Sequence, residues 1–145
     1  MSENKFSPEA QEQKEKPHLK LWLIDDDEAM ARAIQRLLKF EVSEIEIQYF
    51  PDGESALAHL EEELPDAVAI DYDLGENKIK GDEIAKSIAQ KNNEIFIIAI
   101  SSLQESNELI QQSAQQAGAQ AFIVDKSNVS RQLPLILKKI KEEQK

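Results

Sequence analysis

Cysteine is absent from this chain of 145 residues, which excludes disulfides and thiolate metal sites and fits a reducing compartment. Positive charge is scarce: 17 Lys and Arg stand against 28 Asp and Glu, for a net charge of -11. So acidic a surface repels phosphate backbones and anionic lipid, which argues against nucleic acid or a membrane as a direct partner. No apolar run approaches the roughly 20 residues that a membrane helix needs. The opening residues, MSENKFSPEAQEQKEKPH, lack the apolar stretch of a signal peptide. Together these absences predict a soluble cytoplasmic protein.

What is present suits one globular domain. The length allows one compact domain with a substantial core, and the hydrophobic share of 41% is ordinary for such a chain. Residues 1–18 are rich in Glu, Gln, Lys and Ser with almost no apolar content, too little to offset the entropy of ordering, and are expected to be a disordered tail. The domain is expected over residues 19–145.

From Leu19 a strand–helix beat repeats. LKLWLID is a short apolar run that stops abruptly at acids, as a buried strand does. Asp26 or Asp27 can cap the following helix, which places Met30, Ile34, Leu37 and Leu38 on one face. EIEIQYF alternates with period two and meets the turn signal Pro51-Asp52-Gly53. A helix through ESALAHLEEE ends before Pro65, and AVAID is a third strand ending on Asp71. The polar stretch from Tyr72 to Gly81 reads as a loop, followed by a helix over DEIAKSIAQK. IFIIAIS reads as a central strand, followed by a Gln-rich helix from about Glu105 to Gln116, a turn at Gly118 and the strand AFIVD. The last helix carries Leu133, Leu137 and Ile140, with Pro134 expected in its first turn. Five strands alternating with five helices imply an α/β fold, a parallel sheet covered on both faces.

In such sheets ligands bind beyond the carboxyl ends of the strands. Those ends carry Asp25-Asp26-Asp27, Asp71, Ser101-Ser102 and Asp125-Lys126. Carboxylates held close repel one another, and a hard divalent cation relieves the repulsion. Mg2+ (or Mn2+) suits the site because it accepts a few carboxylates and keeps positions for water and phosphate oxygens. A carboxylate beside such a metal can attack phosphorus and become an acyl phosphate. Lys126 supplies positive charge for the transferring group and Ser101 a hydroxyl donor.

LWLIDDDE, PDAVAIDYDL, FIIAISS and GAQAFIVDKS, in that order, resemble the response-regulator receiver family of two-component signalling, from about Leu19 to Ile140. The resemblance implies a doubly wound (βα)5 sheet in the flavodoxin-like order 2-1-3-4-5. It implies that Asp25 and Asp26 bind metal, that Asp71 is phosphorylated and also meets the metal, and that Asp73 offers the metal its backbone carbonyl. It gives Ser101 and Lys126 to the phosphoryl group. It further implies phosphoryl transfer from a histidine kinase or histidine phosphotransfer protein, slow self-dephosphorylation and no separate substrate. The output face would be built from the fourth helix, fifth strand and fifth helix. With no further domain expected in this length, the signal would leave by contact with a downstream protein.

The sequence departs from the family's pattern in three places. Gly75 stands where proline is usual, in a longer stretch before Gly81; metal coordination is expected to survive, because it draws only on a backbone carbonyl. Ser127 follows Lys126 where the family has a proline after a cis bond. A cis bond before serine would cost roughly 2.5–4 kcal/mol, so a trans bond is expected. The stretch from Phe122 to Lys126 is a residue longer, which leaves Phe122 and Ile123 as alternatives for the family's aromatic switch position.

Plainer roles suit other residues. Asp27 is expected to cap a helix, Trp22 to lie in the core, His18 and His59 to lie at the surface, and the Gln-rich stretch to form a solvated helix face. Two alternative functions fit less well. An unphosphorylated docking module with this fold would need the loop departures to disable a complete site. A haloacid-dehalogenase-like phosphatase would explain Asp71-Tyr72-Asp73, but not the acids at Asp25 and Asp26, and no acidic pair closes a strand after Lys126.

Overall fold

The structure, a computed structural model, describes residues 18–72, 80–102 and 107–144. Of the expected N-terminal tail only His18 falls among them. The chain runs β1 (Leu19–Ile24), α1 (Glu28–Glu41), β2 (Ile45–Phe50), α2 (Gly53–His59), β3 (Ala67–Asp71), α3 (Gly81–Lys91), β4 (Phe96–Ser101), α4 (Asn107–Ala117), β5 (Ala121–Val124) and α5 (Val129–Glu143). A short 3-10 turn, Lys126–Asn128, precedes α5. The strands form one parallel sheet in the order β2-β1-β3-β4-β5, the doubly wound order that the resemblance implied.

Alternation along β1 explains why the sheet is covered on both sides. Leu19, Leu21 and Leu23 join a core with Ala31, Ile34 and Leu38 of α1 and Leu133, Leu137 and Ile140 of α5. Trp22 and Ile24 point the other way, into a core with Ala56 of α2, Ile84, Ala85 and Ile88 of α3, and Ala114 of α4. Each fully buried side chain of this size contributes about 1.5–3 kcal/mol. A surface pair such as Arg32–Glu28 on α1 contributes only ~0.3–0.5 kcal/mol, so packing and not surface charge holds the layers. Edge strand β2 keeps the period-two pattern: Ile45, Ile47 and Tyr49 face α1 and α5, while Glu46 and Gln48 are exposed.

Local signals place most element ends. Asp27 caps α1, its Oδ1 accepting from the Met30 amide at 3.1 Å. Asp52 caps α2 through the Ser55 amide at 2.8 Å. Two expectations are corrected. Pro134 lies inside α5 and not in its first turn, because the helix already begins at Val129, straight out of the 3-10 turn; the ring is buried and one helical hydrogen bond is forgone. His59 is not a simple surface residue. It is half-buried, with its ring 5.5 Å from Trp22 and 5.6 Å from Phe50 and its Nε2 3.2 Å from Glu63 Oε1. That acid stands one helical turn along, beyond the last residue of α2. Trp22 is core, as expected.

Candidate functional site

Among the described residues three polar or charged side chains are buried: Asp25 at 5% exposure, Asp71 at 2% and Ser101 at 6%. All three stand where strands end at the carboxyl edge of the sheet. Asp25 directly follows β1, and its amide donates to the Phe50 carbonyl at 3.1 Å. Asp71 is the last residue of β3 and pairs with Ile100. Ser101 is the next residue along β4. Burying a carboxylate without compensation is expensive, so this arrangement is not what packing alone selects.

Asp25, Asp26 and Asp71 each bring a carboxylate oxygen within 4.8 Å of the others. Asp26 is exposed, on the short link between β1 and α1, and gives the cluster an open side. Asp25 Oδ1 accepts from the Asp27 amide at 2.8 Å, which fixes its rotamer. Burial, with the Asp71 carboxylate adding to it against that amide, pushes the Asp25 carboxyl up to about 7. The donor set is all oxygen, hard and acidic, as Mg2+ requires and a softer metal does not. The expected fourth contributor, Asp73, lies outside the described residues, as does most of the loop after Tyr72.

Lys126 closes the other side. Its Nζ lies 3.1 Å from Asp71 Oδ1 and 3.2 Å from Oδ2. After β5 the chain turns at Asp125. Its amide still donates to the Ser101 carbonyl at 2.9 Å, extending the β4–β5 ladder. The backbone there then takes φ 73°, and the side chain accepts from the Ser127 amide at 3.1 Å and hydroxyl at 2.9 Å. Short polar side chains tolerate positive φ because they can bond locally in this way. Among the described residues no peptide bond is cis, so Ser127 follows a trans bond as expected. The register of β5 on β4 separates the two aromatic-switch alternatives. Ile123 is fully buried against α1 and α5, whereas Phe122 is half-buried against the opposite core, which holds α4.

Side chains at this edge that the sequence did not single out include Tyr49, Tyr72 and Asp82. Burial first, and then the acids from Asp25 to Glu28, push the Tyr49 phenol up, so it stands near the rim of the cluster. Tyr72 follows Asp71 directly, and its ring lies over Gly81. No sequence signal marks these residues, because their partners come from other elements.

Residues 21–138 match the response regulator receiver domain, and the chain belongs to that family. Its fold is that of the receiver domains of two-component signalling. Three solved structures illustrate the likeness. The receiver domain of the Francisella response regulator 1452 is 22% identical, with a TM-score of 0.72 over 88% of this chain and 100% of that one. A CheY-like receiver domain protein from Methanospirillum hungatei JF-1 is 21% identical, with a TM-score of 0.73 over 88% and 99%. The phosphorylated cyanobacterial phytochrome response regulator RcpA is 26% identical, with a TM-score of 0.67 over 86% and 92%. No curated protein matches the sequence. Among the described residues no helix is long and apolar enough to cross a membrane.

Proposed function

We propose that this chain is a phosphorylation switch in which Asp71 accepts a phosphoryl group and Asp25, Asp26 and Asp71, with the backbone of Asp73, hold Mg2+. The observation that carries the reading is the burial of Asp25, Asp71 and Ser101 at one sheet edge with Lys126 on Asp71. The phosphorylated state of the cyanobacterial relative supports the same chemistry for this fold.

Asp71 is the nucleophile. One of its oxygens attacks phosphorus, the bond from phosphorus to the donor's nitrogen or oxygen breaks, and the leaving atom keeps the electron pair and takes a proton from solvent. Held by Asp25, Asp26 and Asp71, Mg2+ would supply positive charge to offset that of the transferring group. Lys126 turns from the Asp71 carboxylate to a phosphoryl oxygen, and the Ser101 hydroxyl donates to another. Attack of water on the same phosphorus returns the carboxylate, so the chain resets itself and has no separate substrate. The donor is a histidine kinase or histidine phosphotransfer protein, in the cytoplasm. Phosphorylation draws Ser101 toward the phosphoryl group, and Phe122, on the α4 side of β5, is the aromatic residue that responds. The signal leaves by contact with a downstream protein.

Intact mass after incubation with acetyl phosphate tests the reading, with Asp71→Asn beside the wild type. A single phosphoryl adduct that needs Mg2+ and vanishes in the variant is expected. No adduct, together with no binding of beryllofluoride, would leave a docking module of this fold as the better account.

A further inference from the structure

Beyond the acids and Lys126, a second polar cluster begins at the very next residue. Among the described residues two buried side-chain polar atoms lack a hydrogen bond, the Tyr72 hydroxyl and Asp82 Oδ1. They are a donor and an acceptor. They also belong to facing groups: burial first, and then the Asp82 carboxylate, push the Tyr72 phenol above its usual range. Leaving a buried donor and acceptor both unmade is costly. The other Asp82 oxygen, Oδ2, accepts from the Ser113 hydroxyl of α4. Asp82 sits in the first turn of α3, where the helix dipole favours its charge.

The fit around Tyr72 leaves little slack. Its amide donates to the Ile100 carbonyl at 2.7 Å, locking it to the end of β4. A methyl group on Gly81 would stand 2.5–2.7 Å from the Tyr72 ring, so ring and backbone are in direct contact. By contrast the described side chains of α4 are mostly exposed. Of its side chains described, Ala114 is the one fully buried, and Leu109 is 64% exposed.

We propose that Tyr72, Asp82 and Ser113 are positioning residues that link the state of Asp71 to the position of α4. The inference rests on Asp71 being the phosphoacceptor. A phosphoryl group adds charge and acceptor oxygens immediately before Tyr72. Adjustment of the backbone there moves the Tyr72 ring, which has no free space over Gly81 and passes the shift to Asp82. Asp82 passes it to Ser113 on α4. Linkage makes the effect reciprocal: a partner that shifts α4 alters the readiness of Asp71.

Amide hydrogen exchange over residues 107–117 tests this in the full chain with MgCl2, with and without beryllofluoride. Wild type, Ser113→Ala, Ser113→Thr and Tyr72→Phe are compared, with exchange in β1 as the folding control. Beryllofluoride is expected to alter α4 exchange in wild type and Ser113→Thr. In Ser113→Ala and Tyr72→Phe the change falls about twofold or more, although all four proteins still bind beryllofluoride. A response in Ser113→Ala equal to that of wild type overturns the link; Ser113 is exposed, so this variant keeps its fold. A wild type that binds beryllofluoride with no change in α4 also overturns the link, and leaves Asp71 as the acceptor. A wild type that binds none overturns both.

Discussion

Asp25 is a carboxyl group placed where its charge is disfavoured. Its pKa of about 7 compares with about 3.9 in an unfolded chain. Between those values the folded protein holds a proton that the unfolded chain has lost. Stability therefore falls as pH rises from about 4 to about 7, and the loss is complete above that. Asp25→Asn keeps an oxygen to accept the Asp27 amide and removes the charge. Metal-free melts at pH 8 should show the variant more stable than wild type by on the order of 1 kcal/mol, with the two nearly equal at pH 4.5. A variant no more stable at pH 8 would mean that Asp25 carries no such strain. Saturating Mg2+ should reverse the order at pH 8, because the variant has lost a ligand.

At the scale of elements, the ends of α4 and β5 are set by two residues with positive φ. Gly118, at φ 121°, closes α4. The Ala119 amide reaches back to the Ala114 carbonyl at 2.9 Å and the Gly118 amide to Gln115 at 3.1 Å, a glycine-terminated helix end. A Cβ on Gly118 would also stand 2.9 Å from Ala89 Cβ of α3. Gly118→Ala is therefore expected to lower stability by about 1–2 kcal/mol from backbone strain alone, read by urea unfolding. It should also loosen α4 against α3, whereas a substitution at exposed Gln116 should do neither. Asp125 is the other case: its turn closes β5 and leads into Lys126, whose Nζ meets Asp71.

For the whole molecule, a net charge of -11 makes self-repulsion a general term that any salt relieves. A bound divalent ion acts at one place, and the two effects can be separated. At matched ionic strength MgCl2 should raise the wild-type melting temperature above NaCl. The gain corresponds to about 2.7 kcal/mol when free Mg2+ is 100 times its Kd. In a chain carrying Asp25→Asn and Asp26→Asn the difference between the two salts should vanish. If it persists, the ion is held elsewhere on the acidic surface.

How far the sequence reaches follows from which interactions are local. Hydrophobic period, capping acids and turn residues act over a few positions, so the strand–helix beat, the Asp27 cap and the strand ends at Asp25, Asp71 and Ser101 were readable along the chain. The strand order was expected from likeness to a family and is now seen in the sheet. Pairing across elements was not readable. His59 meets Trp22 and Phe50, and the face of the sheet that takes Phe122 follows from the register of β5 on β4, which no composition signals. Tyr72, just past β3, Asp82 of α3 and Ser113 of α4 lie far apart in the chain, and none of them stands out in the sequence. Local chemistry determined the elements and the candidate acids; tertiary packing decided which of those acids are buried together, because burial depends on strands that lie far apart in the chain.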